Sequence, residues 1–241
     1  MDLSTVLTVI ILGLLVYYLI DKKPVHREQV NSSTSEKDTL YPKIDILDDF
    51  TVIIITDTHG TLREQDLWAL KKPYDVCFLL GDIDTYDMQL LDKYMDKTKT
   101  FGVLGNHDYK EMYESYGVED IHGRDVCIKG VTFAGFEGSA KYKYGDYIMY
   151  TQEESIEVAK TIPPADILIS HDCSYNLVQV EEEGAHSGLK GITEYISMNH
   201  VRYNFCGHYH RAVHRNHDMC DTYVFPYGVS CIEKGVIQHQ E

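Results

Sequence analysis

Residues Phe101 to Leu104, a short apolar run, are followed directly by Gly105-Asn106-His107-Asp108. An apolar run that stops at such polar residues is typical of a buried strand ending at the rim of an open α/β sheet, where these folds place their sites. The tetrapeptide brings an amide oxygen, an imidazole and a carboxylate to that rim. It therefore predicts a site for chemistry at the end of this strand.

Four other apolar runs end in the same way. They are Val52 to Thr56 before Asp57-Thr58-His59-Gly60, Val76 to Leu80 before Gly81-Asp82, Ile167 to Ser170 before His171-Asp172, and Val201 to Cys206 before Gly207-His208-Tyr209-His210. A single Asp-x-His or Gly-Asp occurs by chance in many proteins. Five such endings in one chain indicate strand ends that share one site.

The order of the predicted elements favours an α/β fold. Helices expected over Leu62 to Leu70 and Met88 to Met95 separate the first three strands, which predicts parallel strands with right-handed crossovers. A hairpin over residues 125–136 and a glycine- and tyrosine-rich loop over 137–150 come next. Further helices are expected over Gln152 to Lys160 and Gly188 to Met198, with closing strands at Thr222 to Phe225 and Gly235 to Ile237.

Composition limits the possible partners. The chain has 241 residues, 44% hydrophobic and 25% charged, which is enough for one domain of roughly 200 residues plus an appendage. Its net charge of -16 would repel polyanions, so no nucleic-acid partner is expected. The six cysteines form no Cys-x-x-Cys motif, and Cys77 and Cys206 lie in apolar runs, which predicts buried thiols in a reducing environment.

The N-terminus predicts a membrane anchor. Leu3 to Ile20 is almost entirely apolar, and as a helix it would span roughly 27 Å, close to the ~30 Å of a hydrocarbon core. A cleaved signal peptide and a buried core helix are the competing interpretations. The basic residues that follow the run predict a cytoplasmic C-terminal part. The expected division is an anchor at 1–22, a flexible tether at 23–43 and a catalytic domain at 44–241.

Seven oxygen and nitrogen donors follow the strands: Asp57, His59, Asp82, Asn106, His171, His208 and His210. Such a set suits Mn, Fe, Co, Ni or Zn better than Ca or Mg, which prefer all-oxygen shells. Seven donors are too many for one ion, so two divalent ions that share a carboxylate are predicted, with Mn favoured. The two-residue spacing within Asp57/His59 and His208/His210 allows both members of a pair to face one side.

The ordered motifs Asp-x-His, Gly-Asp, Gly-Asn-His-Asp, His and Gly-His-x-His resemble those of the calcineurin-like metallophosphoesterase superfamily, over about Thr51 to His210. The resemblance implies a four-layer α-β-β-α sandwich with mixed sheets. It also assigns the donors: one ion would be held by Asp57, His59 and His210, the other by Asn106, His171 and His208, with Asp82 bridging them.

The resemblance further implies hydrolysis of phosphate esters, and a phosphodiester is favoured over a monoester. A hydroxide bridging the ions would attack phosphorus, and His107 would donate a proton to the leaving oxygen as general acid. A carboxylate beside His107 would favour its charged form, and Asp84 and Asp108 are the two candidates. Alternatively, Asp108 caps a helix over Tyr109 to Glu114.

One difference from a branch of the superfamily narrows the class of enzyme that the chain resembles. The Ser/Thr phosphoprotein phosphatase branch carries an arginine shortly after its Gly-Asp motif, whereas Gly81 to Asp87 contains none. The chain is more similar to small prokaryotic or viral phosphodiesterases. His186 is a candidate substrate contact or a helix-start residue, and Arg63 and Arg211 are candidate phosphate contacts or surface salt-bridge residues. The loop Lys141 to Tyr144 either walls the pocket or is solvated.

Other functions compete with a phosphodiesterase: a phosphomonoesterase, a nuclease on the same site, or a non-catalytic metal-binding scaffold at the membrane. The net charge and the lack of a basic stripe disfavour a nuclease. Intact ligands and His107 disfavour the scaffold. The expected partners are a small phosphoester substrate and a lipid bilayer that contacts residues 3–20, while the oligomeric state and the substrate's identity stay open.

Overall fold

The computed structural model describes residues 41–178, 184–217 and 219–239. The predicted anchor and most of the predicted tether lie outside these ranges. Within them, no helix is both long and apolar enough to cross a bilayer. Tyr41 is buried and its ring lies 5.6 Å from that of Tyr223, so chain packing in the domain begins before residue 44.

Two six-stranded mixed sheets form the body of the described chain. The strands are β1 (Thr51–Thr56), β2 (Val76–Leu79), β3 (Thr100–Gly102), β4 (Glu119–Asp120), β5 (Asp125–Ile128), β6 (Val131–Phe136), β7 (Ser139–Ala140), β8 (Met149–Tyr150), β9 (Ile167–Ser170), β10 (Tyr203–Cys206), β11 (Val213–His217), β12 (Cys220–Val224), β13 (Gly228–Glu233) and β14 (Val236–His239). The helices are α1 (Thr85–Leu91), α2 (Met112–Tyr116), α3 (Gln152–Ala159) and α4 (Lys190–Asn199), with 3-10 turns at Asp45–Leu47, Glu64–Leu67 and Lys97–Lys99.

The first sheet has the strand order β14-β13-β1-β2-β3-β4, and the second has the order β11-β12-β10-β9-β6-β5. β1 to β4 run parallel, whereas β13 is antiparallel to β1. In the second sheet, β12, β10, β9 and β6 run parallel, and the edge strands β11 and β5 are antiparallel. The expected mixed α/β class, with two mixed sheets, is confirmed.

The central strand β1 shows why the apolar runs are continuous. Ile53 and Ile55 pack with side chains of α1 and α2, whereas Val52 and Ile54 pack with side chains of the second sheet. Successive side chains point to opposite faces of a strand, so a strand covered on both faces needs apolar residues throughout. Each of these fully buried side chains contributes about 1.5–3 kcal/mol to stability.

The second sheet is covered in the same manner. Phe133, Ile167 and Phe205 face the first sheet in the shared core. On the other face, Leu168 of β9 packs with Tyr195 and other side chains of α3 and α4. Helices therefore cover the outer face of each sheet, and the two inner faces share one core.

Some predicted elements have different bounds in the structure. The helix expected over Leu62 to Leu70 is only the 3-10 turn Glu64–Leu67, and the buried Asp87 carboxylate accepts hydrogen bonds from the backbone N–H groups of Gly60 and Leu62 just before this turn. The next helix begins at Thr85 and not at Met88, because Asp84 caps it through the N–H of Tyr86. The sequence pattern does not predict β13, although this strand pairs with β1 along six residues.

Other predicted elements are confirmed. The hairpin over 125–136 is present as β5 and β6, and Gln152–Ala159 and Lys190–Asn199 form the two later helices. The loop that follows β6 contains the short parallel pair β7 and β8. Cys77 and Cys206 are buried, as predicted from their apolar runs.

Two glycines allow the turns after β2 and β3 to touch. A Cβ atom on Gly81 would lie 2.2 Å from the backbone nitrogen of Gly105, and one on Gly105 would lie 2.2 Å from Oδ1 of Asp82. Gly81 also has a φ of +88°, which other residues adopt only at a cost. The two turns can therefore approach closely only if both positions lack a side chain.

We expect Gly81→Ala to lower the free energy of unfolding by about 3 kcal/mol or more, because a left-handed backbone costs about 1–2 kcal/mol and overpacking adds about 1–3 kcal/mol. The matched control is Gly130→Ala, since Gly130 has a φ of +85° but open space around the added Cβ. The control should lose only the backbone cost. Urea denaturation of both variants measures the difference, and equal losses would contradict the close contact.

Candidate metal centre

The carboxyl ends of β1, β2 and β3 meet those of β9 and β10 at one edge of the domain. Two hydrogen bonds connect the sheets there: the backbone N–H of His208 donates to Oδ2 of Asp57 at 2.8 Å, and Nδ1 of His171 lies 2.7 Å from the carbonyl oxygen of Leu80. All seven side chains predicted as ligands lie in this region. They form two overlapping groups of donors.

The first group contains Asp57, His59 and His210. Nε2 of His210 lies 3.3 Å from Oδ1 of Asp57 and 3.4 Å from Nε2 of His59. Asp57 is fully buried, whereas both histidines are exposed to solvent. This group therefore lies on the open side of the centre.

The second group is buried. It contains Asp57, Asp82, His171 and His208, whose donor atoms lie within 4.8 Å of one another. The predicted ligand Asn106 belongs with them, because its Oδ1 lies 3.1 Å from Nε2 of His171.

Two carboxylates lie near both groups. Oδ2 of Asp82 is 3.9 Å from Nε2 of His59 in the open group and 3.6 Å from Nε2 of His171 in the buried group. Asp57 belongs to both groups, whereas Asp82 belongs to the buried group only.

The buried donors require positive charge. The Leu80 and Ala185 carbonyl oxygens face Nδ1 of His171 and Nε2 of His208, so the neutral rings direct lone pairs at one another from atoms 3.1 Å apart. Burial lowers the pKa of His171, but the charges of Asp82 and Asp57 outweigh this and raise the pKa overall. A proton or a cation must therefore lie among these donors.

Among the predicted ligands in the described chain, two buried polar atoms make no hydrogen bond: Oδ1 of Asp57, which has only the Nε2 atom of His210 at 3.3 Å, and Nδ2 of Asn106. Leaving a buried carboxylate oxygen unpaired is costly. Burial by itself raises the pKa of Asp57, yet His210, His171 and Thr56 lower it to about 2, so the group is ionised. An anionic oxygen aimed at two sets of imidazoles fits a divalent cation of the Mn to Zn group.

The backbone at the donors is strained. Asp57, His59, Asp82, His208 and His210 all have positive φ angles, from 45° to 67°. Each left-handed non-glycine residue costs on the order of 1 kcal/mol, and such strain persists only where the surroundings enforce it. The turn conformation is what directs both members of each Asp-x-His or His-x-His pair at the same space.

Asp108 has a structural position. Its carboxylate accepts hydrogen bonds from the backbone N–H groups of Asp82, Ile83 and Gly105 at 2.7–3.0 Å. Burial, followed by the charge of Asp82, raises its pKa to about 7. The alternative role as a helix cap is wrong, because α2 begins only after Glu111. Asp108 joins the turns that carry Asp82 and Asn106.

The predicted acid His107 is exposed beside the open group. Its ring centroid lies 5.8 Å from that of His59 and 6.0 Å from that of Tyr147. Burial lowers its pKa, the charge of Asp82 opposes this, and Lys143 adds to the lowering. Among the described residues, neither Asp84 nor Asp108 hydrogen-bonds the imidazole. Asp82 is the carboxylate that acts on it.

The three predicted substrate contacts have different surroundings. The His186 ring lies 5.0 Å from that of His208, at the edge of the buried group. Arg63 is exposed and its guanidinium bonds Asp66, as the salt-bridge interpretation predicts. Arg211 is exposed beside His210, and within the described ranges it makes neither a hydrogen bond nor an ion pair.

Sequence reasoning missed the groups that orient the ligands. Asp87 holds the loop that follows His59, and Asp172 accepts hydrogen bonds from the N–H groups of Ala140 and Cys173. The carbonyl oxygens of Leu80 and Ala185 orient the two buried imidazoles. The sequence offers one signal for Asp87 and Asp172, namely that each is a carboxylate within or close to a motif. It offers no signal for the carbonyl oxygens, because every residue has one.

The mixed α/β fold and this centre define a metal-binding enzyme of the phosphoesterase class. The chain belongs to the calcineurin-like phosphoesterase superfamily, because the profile of that superfamily's domain matches residues 50–231. It is therefore a metal-dependent phosphoesterase. Two divalent ions are typical of the family, and the two donor groups fit such a pair.

Several solved structures are similar to this chain at low sequence identity. Protein TT1561 of Thermus thermophilus superposes with a TM-score of 0.57 at 11% identity, covering 78% of this chain and 97% of that one. The phosphopantetheinyl hydrolase PptH of Mycobacterium tuberculosis gives 0.47 at 13% identity, covering 73% and 89%. An archaeal phosphodiesterase gives 0.44 at 12%, covering 78% and 97%. No curated protein sequence matches the chain.

We expect the wild-type chain to retain two Mn ions after loading and gel filtration, and the double variant His59→Ala/His210→Ala to retain one, because only the open group loses its imidazoles. The control is His214→Ala, which removes a histidine bonded to Asp221 outside the centre. Elemental analysis counts the ions. Equal Mn content in wild type and double variant would contradict the two-group arrangement.

Proposed function

We propose that this chain is a phosphodiesterase that uses two divalent ions, with Mn favoured, and His107 as general acid. The observation that carries the proposal is the pair of donor groups joined by Asp57 and Asp82, with His107 exposed at their open side. The similarity of its motifs to those of small prokaryotic or viral phosphodiesterases supports the same branch. A small phosphoester is the proposed substrate.

The proposed ligand roles are those that the resemblance implies. Asp57, His59 and His210 would hold one ion, Asn106, His171 and His208 the other, and Asp82 would bridge them. When bound, such a pair lowers the pKa of a nearby water and offsets charge on the phosphoryl oxygens. The protein itself fixes the directions of the donors through the strained turns.

His107 is positioned for proton transfer. Its backbone N–H donates to Oδ1 of Asp82 at 2.8 Å, which fixes the turn, while its imidazole makes no hydrogen bond among the described residues. The ring is thus free to bond a leaving oxygen. A positioned acid of this kind accelerates a reaction by about 10²–10⁴-fold.

A diester fits the charges around the centre better than a monoester. A phosphomonoester carries a charge of about -1.5 to -2 near neutral pH, and a diester carries one negative charge. Of the two arginines predicted as phosphate contacts, Arg63 is engaged with Asp66 and only Arg211 is without an ion pair among the described residues. With a net charge of -16, the protein favours the less charged ester.

We expect His107→Ala to slow hydrolysis of the dinucleotide ApA by about 10²–10⁴-fold, because an alkoxide must be protonated as it leaves. Hydrolysis of bis-p-nitrophenyl phosphate should slow far less, since nitrophenolate leaves without a proton. Both rates are measured with Mn by chromatography and absorbance, with His214→Ala as control. Equal slowing of the two substrates would show that His107 is not the acid.

The apolar run at residues 3–20 supports a further part of the proposal: a single-pass anchor that holds the catalytic domain on the cytoplasmic side. We expect the full chain to stay in carbonate-washed membranes, and Ile11→Arg/Leu14→Arg to release it, since each central arginine costs about 2.5–3.5 kcal/mol on insertion. The control is Ile11→Leu/Leu14→Ile. Wild-type chain in the soluble fraction would refute the anchor. A domain that is protected from protease added on the cytoplasmic face of the membrane would refute the orientation.

A further inference from the structure

A cavity of about 660 Å³ lies beside the metal centre, between residues 140–144 and residues 184–190. That volume is typical of sites for small organic ligands. None of the seven metal donors lines it. The lining residues are Ala140, Lys141, Tyr142, Lys143, Tyr144, Tyr150, Thr151, Gln152, Glu153, Tyr175, Gly184, Ser187 and Lys190.

Hydrogen bonds and ring contacts connect this cavity to the centre. The N–H of Ala140 donates to Oδ2 of Asp172, the residue after His171. The carbonyl oxygen of Ala185, the residue after Gly184 of the cavity wall, lies 2.6 Å from Nε2 of His208. Two segments that line the cavity are therefore joined to the buried donor group through adjacent residues.

Lys143 places the cavity on the side of the general acid. Its Nζ lies 3.8 Å from the ring centroid of Tyr147, whose ring is 6.0 Å from that of His107. The ester oxygen that His107 protonates belongs to the leaving alcohol. Lys143, a lining residue of the cavity, and His107 therefore share Tyr147 as a neighbour, so a leaving alcohol at His107 would lie close to the Lys143 side of the cavity.

The cavity is cationic in an acidic protein. Lys141, Lys143 and Lys190 line it, and within the described ranges none of the three has a carboxylate oxygen within 4.0 Å. Glu153 is the one acidic residue among the described lining residues. Elsewhere, Lys160 pairs with Glu157 at 2.6 Å and Lys97 pairs with Asp92 at 2.7 Å. Among the described residues, three ammonium groups that form no ion pair line one cavity, an arrangement that favours an anionic ligand.

The same walls are aromatic. Nζ of Lys190 lies 5.0 Å from the ring centroid of Tyr175, and Nζ of Lys143 lies 4.9 Å from that of Tyr142. The side chain of Tyr144 is 95% exposed, so its ring faces are open to solvent. Tyrosine rings with open faces stack on planar groups, and every nucleobase has such a face.

We propose that this cavity binds the leaving portion of the substrate, and that this portion is a nucleotide: a base that stacks on the tyrosines and a second phosphate that pairs with Lys141 and Lys190. The inference rests on the proposed function, because His107 as acid defines the leaving side. A sugar phosphate or an aliphatic head group would use the lysines but not the rings.

The first test is equilibrium binding by the full-length, metal-free protein in detergent, so that phosphate has no ion to bind. Calorimetry should show AMP binding at least about tenfold more tightly than adenosine or ribose 5-phosphate, since both charge and stacking contribute. Lys141→Gln and Lys190→Gln should each weaken AMP about tenfold. Lys160→Gln, an exposed lysine outside the cavity, is the control and should bind AMP like wild type.

The second test is kinetic. The KM for the dinucleotide ApAp, whose leaving nucleoside carries a further phosphate, is divided by the KM for bis-p-nitrophenyl phosphate. We expect Lys190→Gln to raise this ratio about tenfold and Lys160→Gln to leave it at the wild-type value. Melting temperatures near that of wild type confirm that the variants fold.

The outcomes separate the two proposals. Equal AMP affinity in wild type, Lys141→Gln and Lys190→Gln, or ribose 5-phosphate binding as tightly as AMP, overturns the nucleotide assignment. If bis-p-nitrophenyl phosphate is hydrolysed but the KM ratio does not move, the cavity assignment fails and the phosphodiesterase stands. If Mn-loaded wild type hydrolyses no diester, the proposed function fails, and AMP binding alone then decides the cavity.

Discussion

Close contact between strand-end turns is the constraint on which the rest of this structure depends. The turn after β2 meets the turn after β3 at Gly81 and Gly105, where any Cβ atom would overlap backbone. Across the sheets, a Cβ on Gly207 would lie 2.1 Å from Oγ1 of Thr56. Since no side chain separates these turns, the donors they carry converge on one space, and Asp108 locks two of the turns together through three backbone N–H groups.

The centre concentrates electrostatic repulsion and backbone strain in one place. Two carboxylates and two buried imidazoles lie together, and the neutral imidazoles direct their lone pairs at each other. Five of the donor residues have a left-handed backbone. The hydrophobic core shared by the two sheets is large enough to sustain this arrangement, because most of its side chains are fully buried. A cation relieves the charge, so metal binding and stability are coupled in this domain.

Charge is distributed unevenly over the chain. The net charge of -16 disfavours extended polyanions, yet three lysines without carboxylate partners in the described structure surround one cavity beside His107. Such an arrangement favours a small anion at one place on a protein whose net charge disfavours polyanions. The sequence allowed two interpretations of the Lys141 to Tyr144 loop, a pocket wall or a solvated loop. The choice between them depends on which residues lie opposite the loop, and only the tertiary structure gives those.

The sequence by itself determined the α/β class, the strand ends and the seven donors, because buried strands need continuous apolar residues and metal ligands need particular atoms after them. Only the tertiary structure decided the rest: Asp87 holds the loop after His59, β13 lies antiparallel beside β1, and the Asp108 carboxylate accepts hydrogen bonds from backbone N–H groups and neither caps a helix nor bonds the imidazole of His107. These outcomes depend on groups distant in the chain, and local patterns carry no information about which backbone N–H a carboxylate will meet.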